Sequence, residues 1–187
     1  MHAFRLPMLS VVCIVLSLPG LLNAQCGVER WDVKTGIDFD APSIDLTIPP
    51  TTAGISDLIS FNEPSFLPPD NRIAPAETTV WVLSVTLVEF KLEADSDYHL
   101  VLQDNAGNTM IAEIPSPDCV DPSSPFLAGI QNARSEFDAV FQATTGFQSA
   151  NVPVQVTGVG MFDFPHGQTG AAPNQIELHP VIDIAFL

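Results

Sequence analysis

Basic side chains are scarce in this chain. Six Lys or Arg stand against 22 Asp or Glu, a formal net charge of −16 at pH 7. A nucleic-acid partner needs a basic footprint that releases counterions, so that class of function is excluded. Anionic lipid surfaces are disfavoured for the same reason. The acidity fits solubility outside the cytoplasm, or a cationic partner. Cysteine is also rare, with three in the chain. No G-x-S-x-G elbow occurs, so serine-nucleophile catalysis has little support. The histidines match no standard zinc spacing, and the acidic turns lack the Gly and closing Glu of an EF-hand loop.

The amino terminus, "MHAFRLPMLSVVCIVLSLPGLLNAQC", reads as a secretory signal. Arg5 opens it, an apolar stretch follows, and Pro19 and Gly20 interrupt that stretch. Leu22 and Ala24 occupy the −3 and −1 positions of a cut before Gln25. The apolar core is too short and too broken for a comfortable membrane span. The expected product is secreted or periplasmic, with no membrane span once residues 1–24 are gone. Gln25 is a poor residue to precede a lipidated cysteine. Cleavage removes Cys13 and leaves Cys26 and Cys119, an even pair that reads as one disulfide in an oxidising compartment.

Residues 25–75 are rich in Pro, Asp, Thr and Ser and read as an extended arm on the domain that follows. "ERWDVKTGIDFD" suggests one short strand, and Ser56–Phe61 a single helical turn. Trp31, Phe39, Leu46, Ile48 and Phe61 make the segment too apolar for a disordered leader. Residues 76–187 are the core domain. "TTVWVLSVTLVEFKLE" is a long strand, with Trp81, Leu83, Val85, Leu87 and Phe90 on one face and a bulge near Glu89. "YHLVLQD" and "TMIAEIP" flank the hairpin turn "NAGN". "SPFLAGIQNARSEFDAVFQ" is the one convincing helix, with Ser124 and Pro125 at its start, a stripe of Leu127, Ile130, Ala133 and Phe137, and Gly146 as a stop. "VPVQVTGVGMFDF", kinkable at Gly158 and Gly160, and "IELHPVIDIAFL" complete the set. Five strands with one helix between the third and fourth follow the order of the OB-fold, so a mainly β, five-stranded OB-like barrel with an N-terminal arm is expected. A small α+β sandwich is the runner-up.

The segments "CGVERWDVKTGID", "AETTVW", "DSDYHLVLQD", "MIAEIPSPDC" and "HGQTGAAPNQIELHPV" together are similar to a family of secreted bacterial proteins without an assigned activity. The resemblance implies a bacterial exported protein and supplies no catalytic residue. "DSDYHLVLQD…EIPSP" also resembles, in topology, the metal-and-substrate region of staphylococcal-nuclease-like OB domains. On that resemblance Asp95, Asp97 and Glu113 stand in for the acids that hold calcium. The phosphate-gripping arginines are missing, since Arg134 is the only arginine after Arg72, and nuclease activity does not carry over.

The stretch "DFPHGQTGAAPNQIELHPV" holds His166 and His179. If Ile176, Leu178 and Ile182 face the core, Glu177 and His179 share the opposite side of the last strand. His99 lies on the second strand. Imidazoles with a carboxylate suit zinc or another transition metal. The competing reading is structural: His166, Gln168, Thr169 and Asn174 satisfy the backbone of a stiff loop between two strands. The ligand-binding candidates are therefore His99, His166, Gln168, Asn174, Glu177 and His179, with Asp95, Asp97 and Glu113 as candidate metal ligands. No cofactor is expected. The leading functional reading is a monomeric, non-catalytic binding or interaction module for a small molecule, peptide or envelope partner. The alternative is a metal-dependent hydrolase using the His/Glu cluster.

Overall fold

The computed structural model describes residues 25–187; the signal segment expected over residues 1–24 lies outside them. Among the described residues no helix is long and apolar enough to cross a membrane. The elements run α1 (Trp31–Thr35), β1 (Thr51–Thr52), α2 (Ile55–Leu58), β2 (Val80–Leu92), β3 (Tyr98–Gln103), β4 (Thr109–Ile114), α3 (Leu127–Asp138), β5 (Gln148–Phe162) and β6 (Ile176–Phe186). The fold is mainly β, in one sheet ordered β1-β2-β3-β4-β6-β5, and β5 pairs again with β2.

The sheet has six strands rather than five. The added one, β1, pairs in parallel with Trp81 and Val82 of β2. It is two residues long and fully exposed, so no alternation marked it in the sequence. The bulge expected in β2 is present, as a register shift between Leu87 and Glu89 against both neighbours. It keeps Leu87 and Phe90 both in the core. Register shifts also occur in β5 at Gly158 and Gly160. A Cβ on Gly158 would lie 2.8 Å from the Pro180 carbonyl, and one on Gly160 would collide with the Ala76 carbonyl. Only glycine admits those close approaches.

The last strand departs from simple alternation. Gly158 pairs with Val181 and Gly160 with Leu178, so β6 carries an extra residue near His179 and Pro180, and a second near Ile182. Each bulge moves the following side chains to the other face. Val181 and Ile184 therefore enter the core with Ile176 and Leu178. Ile182, expected in the core, is partly buried and packs against it beneath α3, where Gly129 would clash with it if it bore a Cβ.

The helix stripe is as expected: Ile130, Ala133 and Phe137 are buried. The helix begins later and ends earlier than the sequence suggests, at Leu127 and Asp138. Ser124 does not cap it directly; its hydroxyl accepts the Phe126 amide at 3.1 Å and donates to the Thr35 carbonyl at 2.6 Å. Gly146 lies well past the helix end. Phe141 folds back instead against Phe90 and Phe137.

The first fifty described residues are not a simple extended arm. The short strand expected in "ERWDVKTGIDFD" is the helix α1, closed by Gly36 at φ 77°, the left-handed position that glycine favours. Phe39 and Ile48 are exposed, so they do not anchor the segment; Val33, Ala41, Ile55 and Leu58 do. Two buried ion pairs pin it as well. Arg30 bonds Glu77 at 2.6 and 3.0 Å and also donates to the carbonyls of Pro68, Asn71 and Phe162. Arg72 grips Asp38 at 2.9 Å. The Cys26–Cys119 disulfide is formed, with its Cα atoms 5.5 Å apart across 93 residues of sequence.

Candidate functional site

The hairpin β3–β4 sets the site. Its register pairs Gln103 with Thr109, and therefore His99 with Glu113 directly across the ladder. Strand β6 runs parallel beside β4, with Ala112 opposite Leu178. That pairing brings Glu177 and His179 to the Glu113 side chain. The turn before β3 adds Asp97, and α1 lays Lys34 across the face. His99, Asp97, Glu113, Glu177 and His179 are all buried, and Lys34 nearly so.

Glu113 divides its two oxygens between two imidazoles. Oε1 lies 3.1 Å from His99 Nδ1 and Oε2 3.2 Å from His179 Nδ1. Glu177 Oε1 stands 3.1 Å from the same His179 nitrogen. Glu93 Oε1 lies 3.4 Å from His99 Nδ1. On the far side of His179, Nε2 faces Asp97 Oδ2 at 3.5 Å. Among the described residues, neither of those two buried atoms has a hydrogen-bond partner, and neither does Asp163 Oδ1 nearby. Lys34 Nζ is 3.4 Å from Asp163 Oδ2.

The charges respond to this crowding. Burial opposes ionisation of His179, but the carboxylates of Asp97, Glu113 and Glu177 outweigh it and raise its pKa well above the ordinary 6.5. His99 is raised against its own burial by Glu113, with help from the Thr169 carbonyl. Burial and the neighbouring acids push Glu177 up to about 7, although its bond to His179 works the other way. Glu113 goes the opposite way: burial alone would raise it, yet the bonds from both imidazoles hold it below the usual carboxylate range. Asp95, half-buried beside Asp97, is raised by burial and by that neighbour.

A cleft of about 520 Å³ reaches this cluster from solvent. Glu93, Asp95, Glu113, Lys34 and Asp163 line its inner part, and Trp31 and the Cys26 end of the disulfide form a wall. Two sets of groups here can hold a cation: Asp97 with Glu113 and His179, and Glu93 with His99 and Glu113, each with ligand atoms within 4.8 Å of one another.

The structure brings together His99, Glu177 and His179 with the candidate metal ligands Asp97 and Glu113, and sets Asp95 at the cleft. It separates the other three residues. His166 sits at the cleft rim, half-exposed, stacked on Phe164 and 3.1 Å from Glu29; its polar partner is thus outside its own loop. Gln168 lines the cleft without a side-chain bond to the cluster. Asn174 is structural: its amide donates to the Leu58 and Phe61 carbonyls and fastens α2 to the loop. Sequence reasoning missed Lys34 and Asp163 as neighbours of the site; Glu93, which alternates with Asp95 and Asp97 in the acidic turn before β3, joins it. Counting back from the "NAGN" turn would have paired His99 with Glu113; nothing local marks Lys34 or Asp163.

No protein-family model matches the chain, and no curated protein matches it closely enough to lend it a role.

Proposed function

We propose that this is an exported OB-like module that binds a divalent cation through Asp97, Glu113 and His179, beneath a cleft that receives a small ligand. The observation that carries the reading is the facing pair Asp97 Oδ2 and His179 Nε2, both fully buried and 3.5 Å apart without a hydrogen bond. Bare buried polar atoms are costly unless something joins them. Two ligand atoms on one ion, each about 2.0–2.2 Å from it, stand roughly 3–3.5 Å apart in tetrahedral or octahedral geometry. The imidazole and carboxylate donors suit zinc or manganese better than calcium.

The barrel reading is supported by the strand order. Without the short β1, the pairings run β2-β3-β4-β6-β5 and back to β2, with the helix between β4 and β5, which is the OB arrangement. The disulfide fits an oxidising compartment. Asp97 and His179 are fully buried and lie behind Glu113, which lines the cleft, so this cation sits beneath the cleft wall. An ion so placed favours binding and order over hydrolysis, which needs an open position.

Elemental analysis of the purified protein, followed by calorimetric zinc titration after chelation, tests the reading. Stoichiometric metal that Asp97→Asn removes is the expected result. A metal-free protein that takes up no zinc would overturn it.

A further inference from the structure

We infer that the cluster is a two-cation centre, in which Glu113 bridges the inner ion to an outer one held by His99 Nδ1 and Glu93 on the cleft side. The inference rests on the inner-cation reading above and extends it to the second imidazole.

The proton on His99 is placed by its partner. Nε2 lies 2.9 Å from the Thr169 carbonyl, which can only accept. Nε2 therefore carries the proton. In a neutral ring Nδ1 then bears a lone pair, and that lone pair points at Glu113 Oε1 at 3.1 Å and Glu93 Oε1 at 3.4 Å. A lone pair facing two anionic oxygens is repulsive unless a proton or a metal cation stands between them, and a divalent cation there takes the place of the proton that these carboxylates hold in the metal-free protein. Metal-ligating histidines characteristically give their other N–H to a backbone carbonyl or carboxylate, which fixes the tautomer and the ring plane. The Thr169 carbonyl does this for His99. The separations again match those between donors on one ion.

Glu113 has the form of a bridge. Oε1 faces His99 Nδ1 at 3.1 Å; Oε2 lies 3.2 Å from His179 Nδ1, one ring position from the Nε2 that faces Asp97, and Asp97, Glu113 and His179 still offer ligand atoms within 4.8 Å of one another. Glu113 is also the member shared by the two donor sets. Paired metals in hydrolytic and binding centres sit roughly 3.5–4 Å apart, which a carboxylate spans.

The charge balance points the same way. Glu93, Asp95, Asp97, Glu113, Asp163 and Glu177 converge on the ammonium groups of Lys34 and Lys91. The six acids outnumber the two ammonium groups, an excess of negative charge that bound cations relieve. Access differs between the positions. Glu93 and Glu113 line the cleft, and the Glu93 side chain is 23% exposed. The outer ion thus has an entry path and a free position toward the cleft, where an anionic oxygen of a ligand can bind. Lys91, 2.9 Å from Glu93 and lying over the Phe147 ring, sits beside that position.

The test is a zinc titration by calorimetry on chelator-treated protein with its disulfide intact, together with the electron paramagnetic resonance spectrum of the manganese-loaded form. The expected result is two cations per chain, a spin-coupled manganese pair, and a drop to one uncoupled cation in Glu93→Gln. One cation in the unaltered protein would overturn the second site and leave the inner one standing. No cation would overturn both. Two cations in Glu93→Gln would place the second ion elsewhere and overturn the bridge. The manganese spectrum needs no substitution, so uncoupled ions alone in the unaltered protein would also overturn it.

Discussion

His99 Nε2 donates to the Thr169 carbonyl at 2.9 Å, across 70 residues of sequence. The bond joins the glycine-rich loop before β6 to the buried cluster. The loop is thus a stiff connection that also orients a site residue, although its own histidine, His166, stays at the surface. Gly170 holds the loop there at φ 88°, and a Cβ would stand 2.6 Å from Val101 Cγ1. Gly170→Ala meets both backbone strain and that contact. It should destabilise by about 1–3 kcal/mol, seen as a lower midpoint in chemical unfolding of the metal-free protein. An unchanged midpoint would mean the loop does not press on β3.

The other two histidines among the described residues, His166 and His179, should behave oppositely. His179 is fully buried among three carboxylates. His179→Ala strips a buried charge network of one partner, a change worth about 3–5 kcal/mol in such settings. His166 is half-exposed, and its polar partner among the described residues is the exposed Glu29. His166→Ala should shift stability by no more than about 0.5 kcal/mol. Thermal unfolding of both variants is the measurement. Equal losses would show that the rim contact is structural after all.

Much of this site was legible where the physics is local. Period-two spacing alone placed Glu177 beside His179, and a charge inside an apolar run marked the Glu89 bulge. His99 opposite Glu113 follows from hairpin register. Other features needed the assembled fold. Lys34 is on a five-residue helix, and its partner Asp163 lies 129 residues away. No local pattern encodes that meeting. The partial burial of Ile182 was missed because bulges in β6 break the alternation that sequence reading assumes. Phe39 and Ile48 argued against a disordered arm, yet both are exposed, and Arg30 and Arg72 hold the segment through partners remote in sequence.

Glu77 should be a sensitive position on the arm side. Its carboxylate is fully buried, holds Arg30 at 2.6 and 3.0 Å, and also accepts the Phe162 amide at 2.7 Å and the Ile73 amide. Glu77→Gln leaves the Arg30 guanidinium buried without its counter-charge. A loss of about 3–5 kcal/mol is expected. Hydrogen exchange should show protection lost at Phe162 and Ile73 first. Exchange unchanged at both amides would refute the anchoring role.

The disulfide closes a loop of 93 residues. In the chain-entropy model such a closure stabilises by up to about 4–5 kcal/mol. Intact mass with and without reductant should differ by two hydrogens. The reduced protein should unfold at lower denaturant. Two thiols alkylated without reduction would contradict the bond.

The pH dependence of the metal-free protein follows from the cluster. His99 and His179 have folded-state pKa values above the ordinary 6.5. Their stabilising contribution is full below 6.5 and is lost as pH rises through the higher folded values. Glu177 is raised from 4.5 to about 7. The unfolded chain releases that proton first, so stability falls further between those two values. In all three cases the folded state binds the extra proton, which makes stability decline with rising pH. Glu113 has the opposite sign: its pKa is lowered in the fold. Its contribution is present above 4.5 and fails in acid, which sets the lower wall. The metal-free protein should therefore melt several degrees higher at pH 5.5 than at pH 8. Cations compete with these protons, so added zinc should stabilise more at pH 8 than at pH 5.5. Paired thermal scans at the two pH values, with chelator and with zinc, measure both differences. A metal-free midpoint higher at pH 8 would mean that these groups do not share buried protons as the distances imply.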